Sequence, residues 1–322
     1  MQGVWGLLVA TPTPAQARSH YARQAVIAEA AVRAARPLIA ARRPLPELAT
    51  SVATYQRAAA TSAALTVSRW AESPQATNPE AFAGVSSMGY PVLEPLIATI
   101  DAAVSAPATA IPAPWWQNST LFEHSLEMLI HSEVADAGRS ASQVEMVAHE
   151  WTYYVRVLTP PSCARCAILA GRRYRWSTGF DRHPGCDCQM VPADDPSAAE
   201  ELLTDPRAAA EAGQIGSYRT NKTGERIFTP GLSKSDLRAI LDGADPTKVV
   251  NATRGLSAPG ITAAGRTELF GRTVKYTTEG TKRSAWRKAN PSRMVRLRPE
   301  SIYAAAKDQA DAVRLLGLYG YL

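Results

Sequence analysis

The chain has 322 residues, 46% of them hydrophobic, and a formal charge of +6. That length provides for about two domains with buried cores, and no run approaches the ~18 uninterrupted apolar residues that cross a bilayer. Ten Lys/Arg against two acids lie between Arg266 and Arg298, a net of +8, so the rest of the chain carries −2. A basic segment this local suits a patch facing phosphate better than a uniformly cationic protein.

Met1 to Ala10 has no basic start and only a short apolar run, so no secretory signal is expected. Thr13-Pro14-Ala15-Gln16 reads as a capping box with proline at the first helical position. An Ala-rich helix should follow to about Arg36, where Pro37 interrupts it. A second helix is expected from Pro46 to Glu72, with Leu48, Val52, Tyr55, Ala59, Ala63 and Trp70 near one face. Residues 73 to 90 read as a polar connection, and a short helix fits Pro91 to Val104. After a proline-rich loop, Trp116 to Ala137 is helical again, with Gly138 as its stop. His124, Glu127 and His131 share a face of that helix. Two histidines and one acid without a partner motif are more often a solvated or partner-facing side than a metal site. Ser140 to Glu150 looks like a separate helix, and Tyr153 stands where H-E-x-x-H would need its second histidine.

At Trp151 the pattern turns aromatic and β-branched, so WTYYVRVL suits a strand. Thr159-Pro160-Pro161 then leads into CARCAILAGRRYRWSTGFDRHPGCDC, which holds every cysteine of the protein. The spacing is C-x2-C, nineteen residues, then C-x-C, with His183 three residues before Cys186. Cys163, Cys166, Cys186, Cys188 and His183 are five candidates for the four places around a tetrahedral zinc. The rival is two disulfides, but four cysteines in 322 residues are far below a secreted disulfide scaffold. Within the stretch, Arg172, Arg173 and Arg175 interleave with Tyr174 and Trp176, which suits base stacking and phosphate contact. A hairpin with solvated arginines and core aromatics explains the same pattern.

Pro192 to Pro206 reads as an acidic connection with a short helix. A helix from Ser233 to Asp242 should stop at Gly243, and Lys248 to Asn251 looks like a strand. Residues 253 to 299 read as hairpin or loop. Their Lys282, Arg283, Arg287, Lys288, Arg293, Arg296 and Arg298 are the remaining nucleic-acid candidates. A last amphipathic helix fits Pro299 to Leu316, with Ile302, Val313, Leu315 and Leu316 on its apolar side. The expected class is α+β, with a helical region at 1–138, an α+β domain with the cysteines at 139–252, and a basic region with a final helix at 253–322.

The run VRVLTPPSCARCAILAGRRYRW…FDRHPGCDC resembles the Mu F-like minor capsid (head morphogenesis) proteins of tailed phages, those of actinobacterial hosts in particular. GERIFTPGLSKSDLRAILDGADPTKVVNATRGL and RPESIYAAAKDQADAVRLLGLYGYL look like that family's later blocks, so the resemblance covers roughly Ser140 to Leu322. It implies a structural virion protein, not an enzyme, at the portal vertex in the capsid interior. Its partners would be the portal protein and a major capsid or scaffold protein, with contact to phage DNA during packaging or ejection. It also implies folding in the host cytoplasm, where thiols stay reduced and a structural zinc is favoured over disulfides. No G-x-S-x-G and no H-E-x-x-H is present. A metal-dependent hydrolase, such as a maturation protease or a nuclease, is the weaker alternative.

Overall fold

A computed structural model describes residues 11–105, 119–180, 182, 186, 188–220, 226–253, 264–269, 272–277 and 296–322. The chain is α+β and divides into two compact units. Residues 1–159 and 172–203 form the first, and residues 160–171 and 204–322 the second. The boundaries expected after 138 and 252 are therefore not those of the fold. The first falls inside a helix, and the chain changes unit after 159, after 171 within the cysteine segment, and after 203.

The first unit is built on three long helices: α1 (Pro14–Ala40), α2 (Leu45–Trp70) and α4 (Ser119–Ala148). The shorter α3 (Leu93–Ser105) packs beside them. Thr13 and Gln16 form the reciprocal capping box that opens α1. The helix does not stop at Pro37. It continues to Ala40, carrying Ile39 into the core, because a proline near the last turn removes one hydrogen bond while the burial of Ile39 remains. Ala28, Ala31 and Ala35 of α1, Ala59, Ala60, Ala63 and Ala64 of α2, and Ala135 and Ala141 of α4 are all buried. Side chains this small let helix axes approach closely.

Gly138 shows what that closeness demands. The separate helices expected on either side of it are one helix, α4, running through it. A Cβ at this position would stand 2.2 Å from Oε1 of Gln24 on α1. Gln24 is itself buried and donates to the carbonyl of Ala59 at 3.2 Å. The glycine is there for helix contact and is not a terminator.

The sheet of this unit is antiparallel in the order β2–β1–β3, from β1 (Tyr153–Val157), β2 (Arg173–Arg175) and β3 (Gln189–Pro192). Tyr154, Tyr174 and Met190 pack with Val67, Met146 and Trp151 on one face. Val155, Val157 and Val191 pack with Ala17 and Leu202 on the other. β1 is buried from both sides, which accounts for its nearly unbroken apolar run.

The second unit gathers short elements around Ile215, Ile240, Val249, Leu297, Ile302, Leu316 and Tyr321. It contains α5 (Ala164–Leu169), α7 (Pro206–Glu211), α8 (Lys234–Leu241) and α9 (Pro246–Asn251). The hairpin β4 (Gly216–Thr220)/β5 (Arg226–Pro230) and the sheet β6 (Ala264–Leu269), β7 (Arg272–Thr277) and β8 (Arg296–Leu297) complete its strands. The strand expected at 248–251 is the helix α9. Asp245 caps it by accepting from Thr247, and Pro246 sets its first turn. The single last helix is two, α10 (Pro299–Ala305) and α11 (Gln309–Leu318). Ala306 turns extended, and Asp308 caps a fresh start. In the first unit the short α6 (Pro196–Glu200) follows β3. Among the described residues no helix is long and apolar enough to cross a membrane.

Two buried ionisable groups make the first unit sensitive to acid. His20 on α1 is fully buried, edge-on to the Trp70 ring with centroids 5.5 Å apart, and burial with the Arg23 charge nearby lowers its pKa to about 4. Glu145 on α4 is also fully buried. Burial pushes its pKa up, but Ser68 Oγ at 2.7 Å and the amides of Ala76 and Thr77 at 2.9 and 2.7 Å outweigh that and hold it at about 2.

The unfolded chain binds the His20 proton more readily than the folded one. Its contribution is therefore intact above pH 6.5 and declines as the pH falls to about 4, by about 3 kcal/mol in all. Glu145 stabilises above pH 4.5, and that contribution is lost as the pH falls toward 2. Denaturant titrations in buffers from pH 7 to 4 should show the first loss, and His20→Leu should flatten it. Gly138→Ala should destabilise by about 1–3 kcal/mol through overpacking, where an exposed helical glycine would gain from the same change. Adding Gln24→Ala should recover most of that loss in the same titration.

Candidate metal centre

The cysteine segment opens at Cys163, whose extended backbone caps α5 and whose Sγ accepts the amide of Cys166 at 3.2 Å. C-x2-C is thus the first turn of a short helix. It leaves Cys166 buried and Cys163 partly exposed. Cys186 and Cys188 precede β3, both buried, with Sγ atoms 2.9 Å apart. Cys163 and Cys166 belong to the second unit, and Cys186 and Cys188 to the first. No two of the four cysteines are joined by a disulfide.

Two buried thiols this close could ligate a metal ion, and sulfur donors select soft or borderline ions such as zinc or copper(I). Zinc–sulfur bonds of about 2.3 Å put tetrahedral sulfurs roughly 3.8 Å apart. The Cys186–Cys188 separation is shorter than that and much longer than the ~2.05 Å of a disulfide. Seating such an ion would spread this pair by about 1 Å. His183 lies outside the described residues.

What fixes the Cys186–Cys188 strand is a buried arginine. Arg139 of α4 sends Nη2 to the Cys186 carbonyl at 2.5 Å and Nε to the Cys188 carbonyl at 2.8 Å. Its Nη1 meets Asp136 at 2.8 Å, and Arg182 pairs with the same carboxylate. Arg139 also lies 5.6 Å from the centre of the Phe180 ring. Two turns earlier, burial and the Arg139 charge lower the pKa of His131, with Glu29 and Cys186 acting weakly the other way. The His131 ring is therefore neutral at pH 7, and its Nδ1 is buried with no hydrogen-bond partner among the described residues.

The helix face His124–Glu127–His131 does not act as one site. His124 is exposed, Glu127 takes a two-pronged bond from Arg36 at 2.8 and 3.1 Å, and His131 is half-buried with its pKa lowered by burial. Arg139 was missed in the sequence because an arginine in a helix reads as solvated. Its position three residues after Asp136 is the signal that could have found it.

The nucleic-acid candidates divide. Arg172 and Arg175 are exposed, whereas Arg173 is committed to the carbonyls of Ala193 and Asp194 at 3.4 and 2.9 Å. Arg296 and Arg298 are not part of an open basic surface. They are 5% and 8% exposed, with Arg296 5.1 Å from the Tyr321 ring centre and Arg298 3.0 Å from Glu300. β8 carries them into the core of the second unit, which is why the local charge excess overstates the free charge there. Lys282, Arg283, Arg287, Lys288 and Arg293 lie outside the described residues.

No protein-family model, no curated protein and no solved structure matches the chain.

Removing Arg139 would leave two buried carbonyls without their donor and the buried Asp136 carboxylate with Arg182 alone. Arg139→Met should cost about 3–5 kcal/mol in chemical denaturation. Arg139→Lys should recover little, because a single ammonium cannot replace the planar fork. Equal stability of the wild type and Arg139→Met would mean that the fork holds nothing.

Proposed function

We propose that the chain is a structural, non-catalytic minor head protein of a tailed phage, placed at the portal vertex, whose cysteine segment is a zinc staple. The carrying observation is the buried pair Cys186 and Cys188, with Sγ atoms 2.9 Å apart, lying in the stretch on which the resemblance to Mu F-like proteins rests. A catalytic zinc keeps a coordination position open to water and substrate. Thiols enclosed in protein favour a closed site, whose contribution is to folding.

On this reading the long Ala-rich helices of the first unit offer the docking surface for portal or scaffold. The protein acts by occupying a place in the head during assembly, and phage DNA is its neighbour in the capsid interior. A hydrolase is less well supported. The acids beside the cysteines, Asp181 and Asp187, lie outside the described residues, and the buried acids of α4, Glu133 and Asp136, are spent on Ser87 and on Arg139 and Arg182.

Two measurements test this. Purified protein should contain about one zinc per chain, and a strong chelator or Cys186→Ser should lower the melting temperature by several degrees. In assembled heads, density for the chain should lie at the portal vertex, and heads lacking it should assemble or package poorly. A chain that holds no metal and melts identically as Cys186→Ser defeats the staple. Normal particles without the chain defeat the structural role.

A further inference from the structure

The free edge of the first sheet carries groups that neither the thiol cluster nor the helical core uses. Among the described residues β2 pairs only with β1, in the register Tyr153↔Arg175, Tyr154↔Tyr174 and Val155↔Arg173. Along it the side chains are sorted by task. Tyr174 is buried, and Arg173 is bound to two carbonyls. Arg172, Arg175 and Trp176 face solvent.

The exposed groups are also held in place. The Arg172 guanidinium sits 4.9 Å from the centre of the Tyr174 ring, and that of Arg175 5.9 Å from the centre of Tyr153. The Trp176 side chain is 41% exposed, yet its backbone is pinned from both sides. Its amide donates to the Thr152 carbonyl, and its carbonyl accepts from Gln143 Nε2, each at 3.0 Å. The nearest acid of the adjoining segment, Asp194, is occupied by the amides of Thr152 and Tyr153 at 3.0 and 2.6 Å. What remains open is a flat indole on a fixed backbone beside two cations with preset planes.

We infer that this edge binds single-stranded nucleic acid, with a base stacked on Trp176 and phosphates met by Arg172 and Arg175. An indole face accepts any unstacked base, and guanidinium groups neutralise the backbone on either side. A duplex keeps its bases stacked and offers the indole nothing. An acidic peptide would engage the cations and leave the indole unused. The site stands whether or not the thiols take a metal.

The test uses the full chain and end-labelled oligonucleotides of about twenty thymidines or uridines, followed by fluorescence anisotropy at low salt. Both strands, or one of them, should bind in preference to a duplex of the same length, and a preference between the two names the natural source. Trp176→Ala should weaken binding about tenfold or more while keeping the salt slope, and Trp176→Phe should restore part of it. Arg172→Ala with Arg175→Ala should weaken binding and reduce the slope by about 1.4, two phosphate contacts at roughly 0.7 each. These side chains are exposed, so thermal melting should not change. The inference is overturned if wild type binds neither strand, if duplex binds as well, or if both variants bind as wild type. It is equally overturned if a poly-glutamate peptide binds as tightly and loses as much on Trp176→Ala. The variant Lys282→Ala/Arg283→Ala/Arg287→Ala/Lys288→Ala serves as a control. Loss confined to it would move the activity to the basic segment and overturn the edge site.

Discussion

A single buried guanidinium sets the arrangement of the first unit. Arg139 is 3% exposed, and a cation taken out of water must find both a counter-charge and acceptors for its N–H groups. It finds the charge in Asp136 on its own helix and the acceptors in the carbonyls of Cys186 and Cys188. The stretch preceding β3 is therefore tied to α4 through its backbone, with the cysteine side chains left out of the bargain.

The same turn of α4 meets a second constraint. Gly138, beside Arg139, is where Gln24 of α1 comes closest. Side chains at 138 and 139 point in different directions from a helix, so one turn admits a neighbouring helix on one side and grips the cysteine strand on the other. Buried polar groups such as Gln24, Gln56, Glu133 and Glu145 recur through this unit, each spent on a backbone group or a loop. Gln56 holds Gly84 and Val85, Glu133 holds Ser87, and Glu145 holds Ala76 and Thr77. An alanine-rich interior offers little shape specificity of its own, and directional hydrogen bonds supply what interlocking side chains would otherwise provide.

Elements whose signals are local were legible in the sequence. The Thr13 capping box, the strand after Trp151 and the Ser233–Gly243 helix follow from two or three adjacent residues and were placed correctly. The approach of buried Cys186 and Cys188 was legible too, since the C-x-C spacing itself invites it. Failures came where one residue has two uses. Gly138 reads as a stop but serves close approach, Pro37 reads as a break but falls in a last turn, and Val249-Val250 reads as strand but follows Asp245-Pro246. Arg139, Arg296 and Arg298 could not be separated from solvated arginines. Their burial is decided by partners far along the chain, and no window of sequence contains those partners.

Charge is the quantity on which sequence and structure part furthest. The +8 segment was the obvious place to look for phosphate contact, yet two of its arginines lie in the core of the second unit and Lys275 is 3.2 Å from Glu300. The Arg172–Trp176 stretch has fewer cations but presents two of them in fixed planes next to an exposed ring. A desolvated arginine fastened to a carboxylate or a carbonyl has no affinity left to give. The number of free, oriented donors therefore governs recognition more than net charge does. By that measure the described arginines differ in use: Arg139, Arg296 and Arg298 are buried on their partners, whereas Arg172 and Arg175 are exposed at a sheet edge. Hidden and exposed sets share no residue, so a change that empties one leaves the other intact.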